Sequence, residues 1–186
     1  EEDLLDELDE LMLDSVTSRM ISDVPVGAFL SGGIDSSLVV AMMKKHKNKA
    51  IKTFTIGFNE KDYDESETSG ATAKFLNTDH VCEKLNVDSL LSLFPEFMQN
   101  FDEPFFDSAA FPTLAVSKLA KKKVTVVLTG DGGDELFGGY HYYKIARLLN
   151  YVHKSPKLIK SLFKISSNVI PTHNFRLLNA ALEFNN

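Results

Sequence analysis

Residues 31–37, Ser31-Gly32-Gly33-Ile34-Asp35-Ser36-Ser37, put three hydroxyls, two glycines and one carboxylate into a single short stretch. Apolar residues lie on both sides, "VGAFL" before and "LVVAMM" after. Glycines let backbone N–H groups come close to an anion. A helix starting near Ser36 would aim its free N–H groups and the positive end of its dipole at the same place. The serines add hydroxyl donors, so the stretch has the chemistry of a phosphate cradle. The alternative is a plain strand-to-helix turn with Ser36 or Ser37 as N-cap. Such a turn needs neither three hydroxyls nor an acid. A reactive serine would want a base, and no histidine lies nearby in sequence. The stretch lacks the G-x-S-x-G elbow, the G-x-x-x-x-G-K-[ST] loop and the G-x-G-x-x-G fingerprint.

The missing lysine means that something else must neutralise bound phosphates. Asp35 cannot do so directly, but an acid beside phosphates makes sense if it holds Mg²⁺, which bridges carboxylate and phosphate oxygens. A second acid should then come from elsewhere in the chain. "TGDGGDE" at 129–135 offers Asp131, Asp134 and Glu135. Two acidic, glycine-containing loops at one sheet edge are what a Mg-nucleotide site requires.

The elements that position these loops follow from periodicity. Leu4, Leu8, Leu11, Leu5, Met12, Val16 and Met20 recur at helical spacing. Their helix carries acids in its first turns and should end before Val24 and Pro25. Strands are expected at 26–30, 51–58, 80–85 and 124–129, the last being the clearest buried strand. Helices are expected at 36–46, 66–76, 88–100, 109–120 and 142–151, with Pro112 tolerable only in a first turn. Residues 130–140 are expected to be loop, and 157–169 a weaker helix after Pro156. Alternating strands and helices with short connections predict an α/β fold, a doubly wound parallel sheet with helices on both faces. Both glycine-rich stretches then fall at carboxyl ends of strands, where such sheets bind ligands.

The whole chain narrows the classes. Its 186 residues, 44% hydrophobic and 25% charged, suit one domain that needs no disulfide or metal to fold. A formal net charge of −6 argues against a nucleic-acid partner. The run Lys121-Lys122-Lys123 reads as a solvated helix end. No apolar run approaches a membrane span. The single cysteine, Cys82, excludes an internal disulfide and fits a reducing, cytoplasmic compartment. Cys82 and His80 are read as structural. Neither end of the chain looks natural, which suggests a fragment of something longer.

"SGGIDSS" resembles the signature of the PP-loop ATP pyrophosphatases, whose fold is adenine nucleotide alpha hydrolase-like. "DVPVGAFLSGGIDSSLV" and "VVLTGDGGDELFGGYHYY", about a hundred residues apart, resemble the synthetase domain of glutamine-hydrolysing asparagine synthetases. "FTIGF" and "FDEPFFDSAAFPT" resemble the intervening segments, and the likeness runs over roughly residues 3 to 150. It implies a ligase that splits ATP between the α and β phosphates and adenylates a carboxylate, that of the aspartate side chain. Ammonia from glutamine then displaces AMP to give asparagine. By the same resemblance Ser31, Gly32, Gly33, Ser36 and Ser37 hold the pyrophosphate portion. Asp35 and Asp134 hold Mg²⁺. Leu30, Ile56 and Gly130 contact the adenosine, largely through backbone, with Thr129 in the same ATP-binding set. Asp131 lies nearest the acyl-adenylate, and with Asp35 and Asp134 makes up the catalytic acids.

The best-known asparagine synthetases carry glutamate at the position of Asp131, which leaves the acceptor acid open. Related amidotransferases use the same activation on other carboxylates. Tyr140 is a candidate for the site or for anchoring the loop. Asp102, Glu103 and Asp107 fall where the family holds its acceptor, although Asp107 or Ser108 could equally cap a helix. The resemblance implies an ATP-pyrophosphatase domain over 1–155 and a helical extension over 156–186. A glutaminase domain should precede it in the parent chain, and a homodimer is compatible with it. The competing classes are a PP-loop RNA-modifying thiolase, disfavoured by one cysteine and acidic charge, and a non-catalytic ATP-binding module.

Overall fold

The structure, a computed structural model, describes residues 2–47, 49–100, 102–103, 107 and 109–154. The helix expected at 157–169 and the extension over 156–186 lie outside the described residues. The chain divides into two compact units, residues 1–131 and 132–186.

The first unit is built on one parallel sheet of β1 (Val26–Phe29), β2 (Lys52–Phe58), β3 (Asp79–Leu85) and β4 (Val126–Leu128), in the order β3-β2-β1-β4. Ala28 stands in register between Thr53 on one side and Leu128 on the other. The chain steps outward from β1 to β2 to β3, then returns to lay β4 on the free side of β1. The order therefore reverses at the β1/β4 boundary, the switch point where open α/β sheets carry their ligands.

Helices cover both faces, as the alternating pattern predicts. On one face α1 (Glu2–Arg19), α2 (Ile34–His46) and α3 (Ser66–Phe75) bury Val16, Met20, Val40, Met43 and Ala73 against Ala28, Leu30 and Ile51. On the other, α6 (Ala110–Lys121) sets Leu119 and Ala120 against Phe54 and Val124. Phe54, Val40 and Met43 are fully buried, so these two layers fix the plane of the sheet and the height at which β1 and β2 end.

Two expected elements take a different form. The single helix over 88–100 is two, α4 (Val87–Ser92) and α5 (Phe94–Asn100). Pro95 cannot donate to the preceding turn and fits only where a helix begins. The strand over 124–129 shortens to β4, which is a partly exposed edge, with Val126 38% exposed, and not a buried strand. Its neighbour β1 is itself only four residues long, which limits the ladder available to it. α1 stops at Arg19, before the residues that lead to Pro25, and its outer leucines Leu4, Leu5 and Leu11 are exposed.

The second unit holds α7 (Gly133–Phe137) and α8 (His141–Lys154). α7 lies in the stretch expected to be loop. Left-handed glycines bound it on each side, Gly132 at φ +90° and Gly138 at φ +69°. Those conformations suit glycine and end a helix abruptly, which is why the sequence looked like loop.

Candidate functional site

Leu30 leaves β1 with its N–H bonded to the Phe54 carbonyl at 2.9 Å and its own carbonyl accepting from the Thr55 hydroxyl. The chain is thus clamped to β2 immediately before the glycines. Ser31, Ser36 and Gly33 then fold on one another. The Ser31 N–H donates to Ser36 Oγ at 3.1 Å, the two hydroxyls lie 2.8 Å apart, and the Gly33 N–H donates to Ser31 Oγ at 3.1 Å.

The N-cap of α2 is Gly33, in an extended conformation, and no side chain caps the helix. The expected alternative of Ser36 or Ser37 as N-cap is not what forms. Their hydroxyls instead donate back to the Gly33 carbonyl, Ser37 at 2.7 Å and Ser36 at 3.3 Å. Among the described residues the opening N–H groups of α2 therefore have no side-chain acceptor, at the positive end of the helix dipole. Asp35, in that first turn, is half-buried and its carboxylate makes no hydrogen bond or ion pair to a described residue.

The loop after β4 meets this one directly. A Cβ on Gly130 would lie 2.6 Å from Ser36 N and 2.9 Å from the Asp35 carbonyl carbon, so two backbones touch and only glycine fits. Asp131 is held beside the contact by a local turn. The Thr129 hydroxyl donates to Asp131 Oδ2 at 2.9 Å and accepts from the Asp131 N–H at 3.3 Å. The structure thus brings the expected Ser31, Gly32, Gly33, Asp35, Ser36 and Ser37, on the loop after β1 and the start of α2, together with Thr129, Gly130 and Asp131 on the loop after β4, at the switch point.

Beside the loops a cavity of about 230 Å³ opens between β1, β2 and α6, lined by Phe29, Leu30, Ser31, Ile56, Tyr63, Glu65 and Val116 among others. Phe54 turns its backbone toward β1. Ile56, two residues on, turns the same edge past the end of β1 and into the crevice. The Leu30 side chain is buried, so only its backbone could meet a ligand.

Asp134 belongs to the second unit, where its Oδ1 lies against Gly139, whose N–H donates to the Asp134 carbonyl at 3.0 Å. A Cβ on Gly139 would come within 1.9 Å of that Oδ1. In the same unit the Tyr140 hydroxyl donates to Glu135 Oε1 at 2.6 Å, and Tyr140 stacks on Tyr142 with centroids 4.8 Å apart. That hydrogen bond pushes the Tyr140 phenol up to about 12 and holds the Glu135 carboxyl below its usual range. Tyr140 is a loop anchor here and stays a donor. Asp107 Oδ1 accepts from the Ala109 N–H at 2.8 Å in a turn just before α6, whose N-cap is Ala109 with no side-chain cap, so capping by Asp107 is not what forms; Ser108 lies outside the described residues.

His80 and Cys82 both lie on β3, His80 half-buried and Cys82 exposed. His80 Nδ1 pairs with Thr53 Oγ1 at 2.9 Å, and burial lowers its pKa. Desolvation, then the Asp64 charge, raises the Cys82 thiol, which opposes thiolate chemistry. Among the described residues no three His, Cys, Asp or Glu side chains gather to hold a metal ion, and no helix is long and apolar enough to cross a membrane. The residue that sequence reading missed is Glu65. Its Oε2 accepts from the Gly32 N–H at 2.9 Å across 33 positions of sequence, and no spacing rule signals such a contact.

The family model described as asparagine synthase matches residues 7–183. Asparagine synthetase [glutamine-hydrolyzing] 1 of Bacillus subtilis is 38% identical over 92% of the chain, and the chain spans 27% of that protein. Putative asparagine synthetase [glutamine-hydrolyzing] 2 of Methanocaldococcus jannaschii is 42% identical over 84% of the chain, which covers 30% of it. In fold the chain is similar to an NH3-dependent NAD synthetase from Campylobacter jejuni, with a TM-score of 0.51 and 17% identity, covering 97% of this chain and 93% of the other. With the signature loops in place at the switch point and the family model matched along nearly the whole length, the chain belongs to the asparagine synthase family.

Proposed function

We propose that the chain is the nucleotide-binding part of an ATP-dependent, amide-forming synthetase of the asparagine synthetase type, cytoplasmic, with the ATP-pyrophosphatase region over residues 1–155. The observation that carries this reading is the side-chain-free N-terminus of α2, with Gly130 pressed onto its first turn at the switch point of the sheet. A phosphate chain suits that place. The N–H groups of that turn supply donors, together with the Ser31, Ser36 and Ser37 hydroxyls once Ser36 and Ser37 turn from the Gly33 carbonyl, and the helix dipole supplies charge. The adenosine fits the neighbouring cavity against the backbones of Leu30 and Ile56, and Gly130 and Thr129, on the loop after β4, complete the proposed ATP-binding set.

The carboxylates fit Mg²⁺ in the same way. Asp35 stands in the first turn of α2 with no partner for its charge among the described residues. Mg²⁺ usually binds through one or two carboxylates plus substrate phosphates, so the lack of a preformed cluster is compatible with it. Asp35 is the first ligand of this proposal and Asp134 the second. When bound, the metal would offset charge on the phosphate oxygens.

The chemistry then has two steps. A carboxylate oxygen, that of the aspartate side chain, attacks the α-phosphorus; the bond from it to the bridging oxygen breaks and pyrophosphate leaves. The α2 N-terminus stabilises the charge gathering on the leaving group. Ammonia, supplied by glutamine in a preceding glutaminase domain, attacks the acyl carbon, AMP departs, and the nitrogen loses a proton. Asp131, held by Thr129, is the acid nearest the acyl group. The test is pyrophosphate release from ATP and Mg²⁺ by the full-length parent, with aspartate and glutamine and then with other carboxylates. Release with aspartate is expected; release only with another acid would move the acceptor, and none with any acid would end the reading.

A further inference from the structure

Glu65 stands at the start of α3, far from the cradle in sequence, yet its carboxylate takes the Gly32 N–H at 2.9 Å. That contact puts a negative charge on one of the donors a phosphate oxygen would use. We propose that Glu65 is a built-in competitor of the anion cradle, so that an incoming phosphate chain must displace its carboxylate from the Gly32 N–H; this rests on reading loop 31–37 as a phosphate site.

Three features support a competitor over a mere fastening. The loop between β2 and α3 is already fastened by its neighbour, Asp64. Asp64 Oδ1 accepts from the Phe58 N–H at 3.2 Å and the Ser66 N–H at 3.1 Å, and Oδ2 pairs with Lys84 Nζ at 2.9 Å. Glu65 is therefore spare for holding that loop. It is also exposed, so the displaced carboxylate returns to water and pays no burial penalty. Finally the backbone is brought close for the purpose. A Cβ on Gly32 would lie 3.3 Å from Thr68 Cβ and 3.4 Å from Glu65 Cβ, so the first turn of α3 rests on the loop and the side chain stays within reach. The loop contains no lysine or arginine, and backbone donors are the main source of affinity there. Two anions cannot share one N–H, and a charge-assisted hydrogen bond is the stronger kind to break.

The test is calorimetric titration of inorganic pyrophosphate, with Mg²⁺, into the full-length parent. Glu65→Gln removes the charge. Glu65→Asp keeps the charge but withdraws it by one methylene. Asp62→Asn removes an exposed charge from the same loop. Both Glu65 variants are expected to bind pyrophosphate roughly fivefold to twentyfold tighter, the free energy of one surface charge-assisted hydrogen bond. Asp62→Asn should change affinity by less than about twofold, the size of a screened surface charge. Unchanged or weaker binding by both Glu65 variants, with the parent binding normally, overturns the competitor and leaves the phosphate site standing. An equal gain in Asp62→Asn also overturns it, because general charge would then explain the effect. No binding by parent or variants removes the phosphate site and the competitor together.

Discussion

Gly130 and Gly70 are both glycines near helices, with opposite expectations. At Gly130 a Cβ would strike the Ser36 and Asp35 backbones at 2.6 and 2.9 Å. Gly130→Ala should cost about 1–3 kcal/mol in denaturant unfolding, as overpacking does, and should weaken ATP binding by parting the two loops. At Gly70, inside α3, nothing lies within 4 Å of a Cβ, so Gly70→Ala should add about 0.5–1 kcal/mol. Asp64 gives a pH signature. Its hydrogen bond with Lys84, then those from Ser66, hold the folded carboxyl well below the ordinary 3.8. A folded value below the unfolded one contributes stability above about pH 4 that is lost as pH falls further. Asp64→Asn should therefore lower the melting temperature near neutral pH, and the gap to the parent should close as pH drops below that value. A gap that stays constant into acid would show that the charge contributes nothing.

Among the elements, β2 matters most, because it touches both helix layers and anchors the cradle through Phe54 and Thr55. Phe54 is fully buried against α6 and accepts from Leu30. Phe54→Ala should cost about 3–5 kcal/mol in chemical denaturation and loosen the end of β1 along with it. β2 was also legible: "KTFTIGF" is β-branched and aromatic, and it forms a strand over Lys52–Phe58. The same rule overreached at "VTVVLT", since apolar composition does not tell an edge strand from a central one. α4 and α5 read as one helix because the apolar period runs on across Pro95, and the break lies in the backbone chemistry of that one residue. The two loops were legible as a pair from their glycines and acids. Glu65 was not, because its contact depends on where the sheet brings α3.

At the scale of the molecule, a parallel sheet with a switch point between β1 and β4 brings Gly130 into backbone contact with Asp35 and Ser36, far apart in sequence. The chain spans about a quarter to a third of the relatives it matches, so the proposed turnover is tested on the full-length parent. The measurement that bears most directly on this account is pyrophosphate release there, from ATP, Mg²⁺, aspartate and glutamine, by the parent and by Asp35→Asn and Asp134→Asn. The amides keep shape and lose the charge that would hold the metal. Each variant is expected to fold and to release pyrophosphate roughly a hundredfold or more slowly, a loss of several kcal/mol in the adenylation step. Release by both variants at the parent's rate would contradict the assignment of these carboxylates and the mechanism built on them.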